Sequence, residues 1–396
     1  AIMDVFEFMK ERSIARLDFL RAKEPSAKDV VSTSTYPAFK KMMAELGHEE
    51  VVFFYDKAIN AKFIVGIHST LRGPAIGGLR VWPYEKELDA IKDVLRLSRG
   101  MTYKNASVNL DLGGGKAVAW LDERGKTPEL LKSFANFQIL FEGRYITAED
   151  VGTTVEDMDF IYDEIKSKTD KVCVVCCSEA RGGSGNPSPY TAYGVYDGIK
   201  LCVKRVFRKD LLKGLTIALQ GLGHVGFELA RKLIDDEVNL VVSELEEVKI
   251  KRVQDYAKGK VGFRVVGIDE IYSVDCGLFS PNALGGVLNE KTISQLRCKI
   301  VAGAANNQLE DEGKDSALLH KKGILYAPDF MINAGGVSNA AMEVFDRMHN
   351  IPYNKETVFK KVDEISKNLL DVYDISEKEN ISTYKAALKL AEQRLR

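Results

Sequence analysis

A regular alternation of helical and strand-like segments, beginning near residue 190, constrains the fold more than any other feature of the sequence. Short apolar runs such as LTIALQ and NLVVSE alternate with amphipathic stretches such as FELARKLID, and more strand-like runs follow at CGLFS, KIVAGA and ILYAPD. Short apolar strands that alternate with helices form a parallel sheet covered on both faces. The sequence therefore predicts a doubly wound α/β domain in this half of the chain.

One strand-to-helix junction in this half has the spacing of a dinucleotide-binding turn. LTIALQGLGHVGFELARKL places Gly221, Gly223 and Gly226 in the pattern G-x-G-x-x-G. The first glycine permits a tight turn, the second lets a pyrophosphate approach the backbone, and the third lets the helix pack closely on the strand. We therefore predict that the phosphates lie at the N-terminus of the following helix, beside His224 and Val225.

Two later segments are expected to complete this cofactor site. Glu244 ends the next predicted strand, about 20 residues on, where a carboxylate would accept the ribose hydroxyls and repel a 2′-phosphate. This placement favours NAD over NADP, although a solvated surface glutamate is the alternative. Ala304 and Asn306 in VAGAANNQL follow another strand, so they are expected to line the crevice that holds the nicotinamide.

The N-terminal half predicts a second, mixed α/β domain. VVFFYD and FIVGIHS have the composition of strands, and LDAIKDVLRLSRGMTYKNA has helical spacing. Residues 3–20 also carry apolar side chains at helical spacing, and a proline- and serine-containing linker follows. A chain of 396 residues suits two domains, because single cores stop growing beyond about 250–300 residues. Chemistry is then expected in the cleft between them.

Composition limits the partners. The 56 lysines and arginines and the 57 aspartates and glutamates leave a net charge of −1, which gives no field to attract nucleic acid or an anionic membrane. No apolar run approaches the roughly 20 residues that cross a bilayer. Six irregularly spaced cysteines favour reduced thiols, and the VCVVCC cluster is interpreted as a buried segment rather than a metal site. We expect a cytoplasmic protein that binds a small molecule and no metal.

Two lysines and a carboxylate are the candidate catalytic groups. MTYKNASVNLDLGGGKAVAW places Lys104 twelve residues before Lys116, which follows three glycines, and RYITAEDVGTT delivers Asp150 to a glycine turn. Each lysine alone is more simply a solvated surface residue, and Asp150 alone a turn cap. The glycines favour a functional interpretation, because they let a substrate approach the main chain and leave the ammonium unshielded. A carboxylate beside an ammonium in a closed cleft can exchange protons with a substrate.

Longer motifs resemble a known family. GPAIGGLRVW, LRLSRGMTYKNA, LGGGKAV, RYITAEDVGTTVEDMD, SGNPSPYTAYGVY, VAGAANNQL and YAPDFMINAGGV resemble the Glu/Leu/Phe/Val amino-acid dehydrogenases, in their leucine, phenylalanine and tryptophan branch. The resemblance runs from about residue 40 to the C-terminus. It implies NAD-dependent oxidative deamination of an L-amino acid and a homo-oligomer, a dimer or larger.

The resemblance also implies roles for individual residues. Lys104 would pair with the substrate carboxylate, Lys116 would be the catalytic base that activates water, and Asp150 would carry a proton to and from the amino group. Gly77 and Gly78 would cover the substrate main chain, and Thr191 and Asn306 would hold the nicotinamide end of NAD. The implied side-chain pocket consists of Ile76, Ala148, Val337 and Ala340.

The pocket residues leave two substrate classes open. Ala148 is typical of leucine-preferring members, whereas Ala340 replaces a larger aliphatic residue and opens space. We expect a branched-chain aliphatic substrate, with an aromatic amino acid as the alternative. Glutamate is disfavoured because none of the four pocket residues is cationic. The segment KVCVVCCSEARGG departs from the family pattern, and a non-catalytic NAD-binding sensor is the competing function.

The predicted domain organisation has three parts. Residues 1–36 form an N-terminal extension, 37–187 a substrate domain against which the C-terminal helices of 345–396 pack, and 188–344 the NAD-binding domain.

Overall fold

The computed structural model describes residues 3–21, 23, 25 and 27–396. Part of the predicted N-terminal extension, residues 1, 2, 22, 24 and 26, lies outside this range. The described chain contains two six-stranded sheets with helices packed around them, which confirms the predicted two-domain α/β class. The domain boundaries themselves stay a prediction.

The first sheet is mixed. Its strands are β1 (Arg16–Leu20), β2 (Glu50–Asp56), β3 (Ala61–Ser69), β4 (Ala75–Trp82), β5 (Gly113–Trp120) and β6 (Tyr145–Ala148). Their spatial order is β1-β2-β3-β5-β4-β6, antiparallel as far as β5 and parallel from β5 through β4 to β6. The carboxyl end of β6 therefore lies beside β4, where the glycine turn with Asp150 follows.

The second sheet is parallel throughout. Its strands are β7 (Thr216–Gln220), β8 (Asn239–Ser243), β9 (Phe263–Val265), β10 (Leu278–Pro281), β11 (Ile300–Val301) and β12 (Leu325–Tyr326). The order is β12-β11-β10-β7-β8-β9, so the chain leaves β7 toward one edge and returns on the other side at β10. Such a reversal opens a crevice at the carboxyl ends of the two central strands, which is where open α/β sheets bind ligands.

Fourteen α-helices are assigned in the described part of the chain. They are α1 (Val5–Glu11), α2 (Tyr36–Leu46), α3 (Glu87–Ser107), α4 (Pro128–Gln138), α5 (Val155–Ile165), α6 (Ser188–Phe207), α7 (His224–Asp235), α8 (Glu247–Ala257), α9 (Glu290–Gln295), α10 (Glu312–Lys321), α11 (Asp329–Ile332), α12 (Gly335–Met348), α13 (Lys355–Glu379) and α14 (Thr383–Arg394). The C-terminal pair returns to the rest of the molecule, with α13 against α6 and α14 against α3.

The prediction of one helix over residues 3–20 is wrong in its second half. The helix α1 ends at Glu11, and Arg16–Leu20 forms β1, the edge strand paired with β2. Leu17 and Phe19 are buried while Arg16 and Asp18 lie partly exposed, which is the two-residue alternation of a half-buried strand. The buried carboxylate of Glu87 accepts hydrogen bonds from Val5 N and Phe6 N, so α1 is tied to the start of α3.

The C-terminal helix supports the end of α3. Arg394, at the end of α14, donates from Nη1 to the carbonyl oxygens of Ala106 and Ser107. These carbonyls are among those that the last turn of a helix leaves without intrahelical donors. Lys104 lies in that same turn, so the position of its side chain depends on a contact with the far end of the chain.

Candidate functional site

The structure brings the two lysines and the carboxylate together. Lys104 lies in the last turn of α3, Lys116 lies inside β5, and Asp150 follows β6. Lys116 Nζ is 2.9 Å from Asp150 Oδ2, and the Lys116 side chain is only 6% exposed. Three segments that are distant in sequence thus contribute charged groups to one enclosed place.

Packing between α3 and β5 fixes the spacing of the two lysines. Asn105 Nδ2 donates to Gly113 O at 2.7 Å, beside Lys104 on the helix and just before Lys116 on the strand. A Cβ atom added to Gly114 would lie 2.1 Å from Thr102 N, so the helix rests directly on the strand backbone. This contact requires glycine.

The three glycines before Lys116 therefore have a different reason from the predicted one. The directions in which their side chains would point are filled by the Ser69 carbonyl at Gly113, by Thr102 at Gly114 and by the Tyr145 ring at Gly115, each within 2.6 Å of an added Cβ. The prediction that these glycines keep space open above Lys116 is wrong. They let the helix α3, the end of strand β3 and an aromatic ring pack against β5.

Gly77 and Gly78 are also tightly packed. A Cβ at Gly77 would overlap Gly115 O at 1.7 Å, and one at Gly78 would lie 2.6 Å from Asp150 Cβ. Tyr145 Oη donates to Gly77 O at 2.7 Å. These contacts hold β4 against β5 and hold Asp150 against β4. Their predicted role toward the substrate main chain stays a prediction.

Burial dominates the electrostatics of the lysines. It lowers the pKa of Lys104 to about 8, with Asp329 acting to raise it and Lys116 to lower it. Burial also lowers the pKa of Lys116. The carboxylate of Asp150 raises this pKa, and the positive charge of Arg80 lowers it further. Burial alone would raise the pKa of Asp150, but Lys116 and Arg80 outweigh it and hold this pKa below its usual range. A lysine with a lowered pKa beside an ionised carboxylate is suited to general base chemistry.

The dinucleotide turn, residues 221–226, follows the carboxyl end of β7. Its three glycines differ in their surroundings. Gly221 has φ +89° and meets Ala283 of the neighbouring loop, and a Cβ at Gly226 would lie 2.2 Å from Gly221 O. Gly223, the residue before α7, has nothing within 4 Å of an added Cβ. One glycine makes the turn, one allows close packing, and one faces open space at the N-terminus of α7, beside His224 and Val225. The placement of a pyrophosphate in that open space stays a prediction.

Glu244 lies directly beside this turn. Its Oε2 accepts a hydrogen bond from Leu222 N at 2.8 Å, and its Oε1 accepts from Leu245 N and Glu246 N. Burial alone would raise the pKa of Glu244, but these backbone donors outweigh it and lower the pKa. An ionised carboxylate held next to the turn is suited to a ribose diol and unsuited to a 2′-phosphate. The turn and this carboxylate together fit a non-phosphorylated dinucleotide.

The expected nicotinamide residues are linked through Asn333. Asn333 Nδ2 donates to Ala304 O and, at 2.8 Å, to Asn306 Oδ1. Thr191, in the first turn of α6, donates to Pro187 O, and its Oγ1 would lie 2.8 Å from a Cβ at Gly336. Thr191 therefore packs against the start of α12, the helix that follows Asn333.

A buried aspartate, Asp329, connects this loop to Lys104. Its Oδ2 accepts a hydrogen bond from Gln308 N at 3.0 Å, two residues after Asn306. Burial raises the pKa of Asp329, and the positive charge of Lys104 opposes that rise. The negative charge that most raises the pKa of the candidate carboxylate-binding lysine thus comes from α11, the helix that follows β12 of the second sheet.

The predicted pocket residues lie on elements that contact each other. Ile76 and Ala148 are on neighbouring strands β4 and β6, and Val337 and Ala340 are one turn apart on α12. Backbone hydrogen bonds join Thr147 to Cys173 and Val175, and Cys176 N donates to the buried Glu343 of α12 at 2.8 Å. Their contact with a substrate stays a prediction.

Sequence reasoning missed Arg80 and Asp93, and it missed two buried acids, Asp329 and Glu343. Arg80 donates to Asp150 Oδ2 and to both oxygens of Asp93, and Glu343 accepts hydrogen bonds from Cys176 N, Ser184 N and Ser184 Oγ. An arginine inside the apolar strand AIGGLRVW was the available signal for Arg80. Nothing in the local pattern distinguishes Glu343 from the acidic residues on a solvated helix face.

The described residues show no metal site and no membrane-spanning helix. Within them, no group of three or more histidine, cysteine, aspartate or glutamate side chains is arranged to hold a metal ion. All six cysteines are free and buried. None of the helices assigned above is long and apolar enough to cross a membrane.

Two family models match the chain. Residues 49–167 match the Glu/Leu/Phe/Val dehydrogenase dimerisation domain, and residues 239–396 match the Glutamate/Leucine/Phenylalanine/Valine dehydrogenase model. The first match contains both lysines and Asp150. The second contains Glu244, Ala304 and Asn306.

Characterised relatives resemble the chain over most of its length. It is 48% identical over 357 residues to leucine dehydrogenase of Bacillus subtilis, covering 90% of this chain and 93% of the relative. It is 44% identical over 351 residues to L-tryptophan dehydrogenase of Nostoc punctiforme, covering 89% and 94%, and 40% identical over 365 residues to phenylalanine dehydrogenase of Bacillus thermotolerans, covering 91% of each.

Solved structures agree with these sequence matches. The crystal structure of the Nostoc punctiforme L-tryptophan dehydrogenase superposes with a TM-score of 0.75 at 42% identity, covering 90% of this chain and 98% of that one. The hetero-hexameric glutamate dehydrogenase of Thermus thermophilus superposes with a TM-score of 0.72 at 20% identity, covering 95% and 97%, and so shares the fold.

Proposed function

Because the chain belongs to the Glu/Leu/Phe/Val dehydrogenase family, we propose that it catalyses NAD-dependent oxidative deamination of an L-amino acid to its 2-oxo acid and ammonia. The observation that carries this proposal is the enclosed group of Lys104, Lys116 and Asp150 in a chain that also has a dinucleotide turn with open space at Gly223. The same group catalyses the reverse reductive amination.

Each charged residue has one task in this scheme. Lys104 binds the substrate α-carboxylate, because a buried ammonium with a lowered pKa gains most from a new anionic partner. The dinucleotide turn and Glu244 would hold NAD, which would supply the acceptor for the hydride of the α-carbon. Lys116 in its neutral form takes a proton from the water that attacks the resulting imine. Asp150 takes a proton from the substrate ammonium group before hydride transfer and later returns it to the departing amino group.

The burial of Lys116 makes the pH dependence testable. Burial lowers the pKa of Lys116, and Asp150 acts in the opposite direction and raises it. The base must be neutral to accept a proton. The deamination rate is therefore expected to rise with pH along an acid limb and to be greatest in the alkaline range. A rate that falls as the pH rises from 7 to 9 would contradict the assignment of Lys116 as the base.

For the substrate, we propose a branched-chain aliphatic amino acid. The leucine dehydrogenase of Bacillus subtilis is the most similar of the relatives described above, and Ala148 is the residue typical of leucine-preferring members. An aromatic substrate is the second candidate. It is favoured by the small, buried Ala340 on α12 and by the similarity to the tryptophan and phenylalanine enzymes.

A substrate panel tests both proposals. Purified protein with NAD is given L-leucine, L-valine, L-phenylalanine, L-tryptophan or L-glutamate, and NADH formation is followed by absorbance. The largest kcat/KM is expected with a branched-chain substrate, and NADP should give little activity because of Glu244. Ala340→Val should then lower kcat/KM for phenylalanine and tryptophan relative to leucine by at least about tenfold, since it adds two carbon atoms and each methylene contributes about 1–3 kcal/mol to discrimination. NADH formation with none of the five would favour a non-catalytic sensor.

We also propose that the protein is a homo-oligomer, a dimer or larger. The support is the match of residues 49–167 to a dimerisation domain. Light scattering on the purified full chain measures the mass, and a value equal to that of one 44.1 kDa chain would contradict the proposal. The predicted cytoplasmic location stays a prediction.

A further inference from the structure

Arg80 lies between the candidate proton carrier and a second carboxylate. Its Nε donates to Asp150 Oδ2 at 2.9 Å, and its Nη1 donates to Asp93 Oδ2 at 2.9 Å and to Asp93 Oδ1 at 3.2 Å. The side chains of Arg80, Asp93 and Asp150 are 22%, 26% and 22% exposed, so water screens them only in part. Arg80 therefore holds both acids in a fixed geometry.

Three secondary-structure elements create this arrangement. Arg80 is on β4, Asp93 is on α3, and Asp150 follows β6, which pairs with β4 in parallel. Gly78 and Arg80 are two residues apart on β4 and so face the same side, and the missing side chain at Gly78 lets Asp150 Cβ approach the strand. Tyr84 Oη donates to Asp93 Oδ2 at 2.6 Å and fixes the outer end of the group.

The oxygen that Arg80 holds is the one that Lys116 also holds. Lys116 Nζ and Arg80 Nε both lie 2.9 Å from Asp150 Oδ2. When Lys116 is protonated, the positive charges of Lys116 and Arg80 balance the negative charges of Asp150 and Asp93. When Lys116 is neutral, Asp150 would be a buried carboxylate without a cation if Arg80 were absent, which is costly. With Arg80 present, Asp150 keeps a charged partner in both states.

We propose that Arg80 is a positioning residue that keeps Asp150 in place while Lys116 is neutral, and that Arg80 and Asp93 act in opposite directions on the pH at which Lys116 becomes a base. This inference rests on the proposed role of Lys116. Arg80 touches neither substrate nor cofactor in this scheme and acts only through Asp150 and Lys116.

The charges around Lys116 come from both halves of the molecule. Arg80 is on β4, Lys104 and Asp93 are on α3, Tyr145 is on β6, Glu149 and Asp150 follow β6, and Asp329 is on α11 beside Lys104. Arg80 and Lys104 disfavour the ammonium form of Lys116, whereas Asp150 and Asp93 favour it. Arg80 and Asp93 both act on the charge of Lys116, and neither is a group to which the reaction scheme assigns contact with substrate.

Two substitutions should therefore shift the pH profile in opposite directions. Arg80→Gln removes a positive charge, raises the pKa of Lys116, and should move the acid limb of kcat for deamination up by about one pH unit. Asp93→Asn removes a negative charge that is farther from Lys116, and should move the limb down by a smaller amount, about half a unit. At pH values below the limb, Arg80→Gln should be about tenfold slower than wild type, because the neutral fraction falls tenfold per unit.

Conservative and matched variants separate electrostatics from structural damage. Arg80→Lys keeps the positive charge but loses the guanidinium group that donates to Asp150 and Asp93 at the same time. It should therefore lower kcat while the acid limb of the pH profile stays near its wild-type position. Lys92→Gln changes an exposed charge adjacent to Asp93 and should leave the limb unchanged. Thermal unfolding of each variant reports whether it folds.

A measurement without turnover keeps the inference separate from the proposed function. Competitive labelling of the full chain with isotopic acetic anhydride across a pH series gives the titration of Lys116 by mass spectrometry. The titration should shift up in Arg80→Gln and down in Asp93→Asn even if no tested amino acid is oxidised. Shifts of the same sign in both variants, or no shift in either, would overturn the inference. A substrate panel without NADH formation, combined with opposite shifts, would instead overturn only the proposed reaction.

Discussion

Two glycine-rich segments of this chain look alike in sequence and differ in structure. Around Gly113, Gly114 and Gly115, the position of every missing side chain is filled by protein atoms from the end of β3, from α3 or from Tyr145. In the dinucleotide turn, Gly223 faces open space and Gly221 has a positive φ. A glycine run therefore does not by itself indicate a ligand. What fills the position of the missing Cβ distinguishes packing from binding.

The sharpest test of this difference is Gly114→Ala. The added Cβ would lie 2.1 Å from Thr102 N, a backbone atom of α3 that cannot move away without displacing the helix. We expect a loss of roughly 4 kcal/mol or more in the free energy of unfolding, or no soluble protein, and loss of activity with it. Urea unfolding measures the change. A stable, active Gly114→Ala protein would show that α3 does not rest on β5 as described.

Lys116→Ala should separate chemistry from packing in the same strand. The remaining Asp150 keeps Arg80 as its partner, so the fold should survive, whereas removing the proposed base should lower kcat by about 10²- to 10⁴-fold. Steady-state rates and circular dichroism test the two parts. Lys132→Ala, an exposed lysine on α4, is the control. Turnover at the wild-type rate would remove Lys116 from the mechanism.

The region where α3 packs against β5 should also make the stability of the protein depend on acidic pH. His68 Nδ1 lies 2.8 Å from Thr102 Oγ1 and His48 Nε2 lies 2.8 Å from Ser98 Oγ, so the two rings back the part of α3 that covers Gly114. Burial lowers the pKa of His48 to about 3 and that of His68 to about 4.

Both histidines titrate near 6.5 when unfolded, so the unfolded state binds more protons between pH 6.5 and about 4, and stability should fall as the pH decreases through that window. From pH 7 to pH 5 the loss should be roughly 2–4 kcal/mol for the pair. Urea unfolding at several pH values measures the slope. His68→Asn should flatten it, and His320→Gln, at an exposed position, should not. An equal slope in His68→Asn would contradict this account.

The smallest effect is expected at the open position of the dinucleotide turn. Gly223→Ala places a Cβ where no protein atom lies within 4 Å, so the free energy of unfolding should change by no more than about 0.5 kcal/mol. NAD affinity should fall about tenfold, or 1.4 kcal/mol, because the methyl group occupies the space for the pyrophosphate. Fluorescence titration with NAD and thermal unfolding measure the two quantities. Unchanged affinity would mean that the pyrophosphate lies elsewhere.

Much of the fold could be predicted because local pattern and tertiary role agree. The strands β2, β3, β7, β8 and β10 and the helices α3 and α7 form where apolar spacing indicated them. The failure at Arg16–Leu20 has a physical reason. Five residues can satisfy either a helical or an alternating pattern, and pairing with β2 decides between them.

The sequence could name the main charged residues of the candidate site, but it could not indicate the side-chain contacts between them and the rest of the protein. Lys104, Lys116 and Asp150 could be named because they stand in distinctive local motifs. Arg80 and Asp93 could not, because their importance comes from a pairing between β4 and α3 that no sequence spacing indicates. Asp329 likewise acts on Lys104 from α11, the helix that follows the last strand of the second sheet.

The sequence by itself determined the kinds of elements, the dinucleotide turn and the family, because each depends on residues that are close along the chain. The tertiary structure alone decided that the glycines before Lys116 serve packing, that Asp150 has two cationic partners, and that α14 supports the end of α3. These facts depend on atoms that only folding brings within contact distance, and burial there, rather than residue type, lowers the pKa of both lysines.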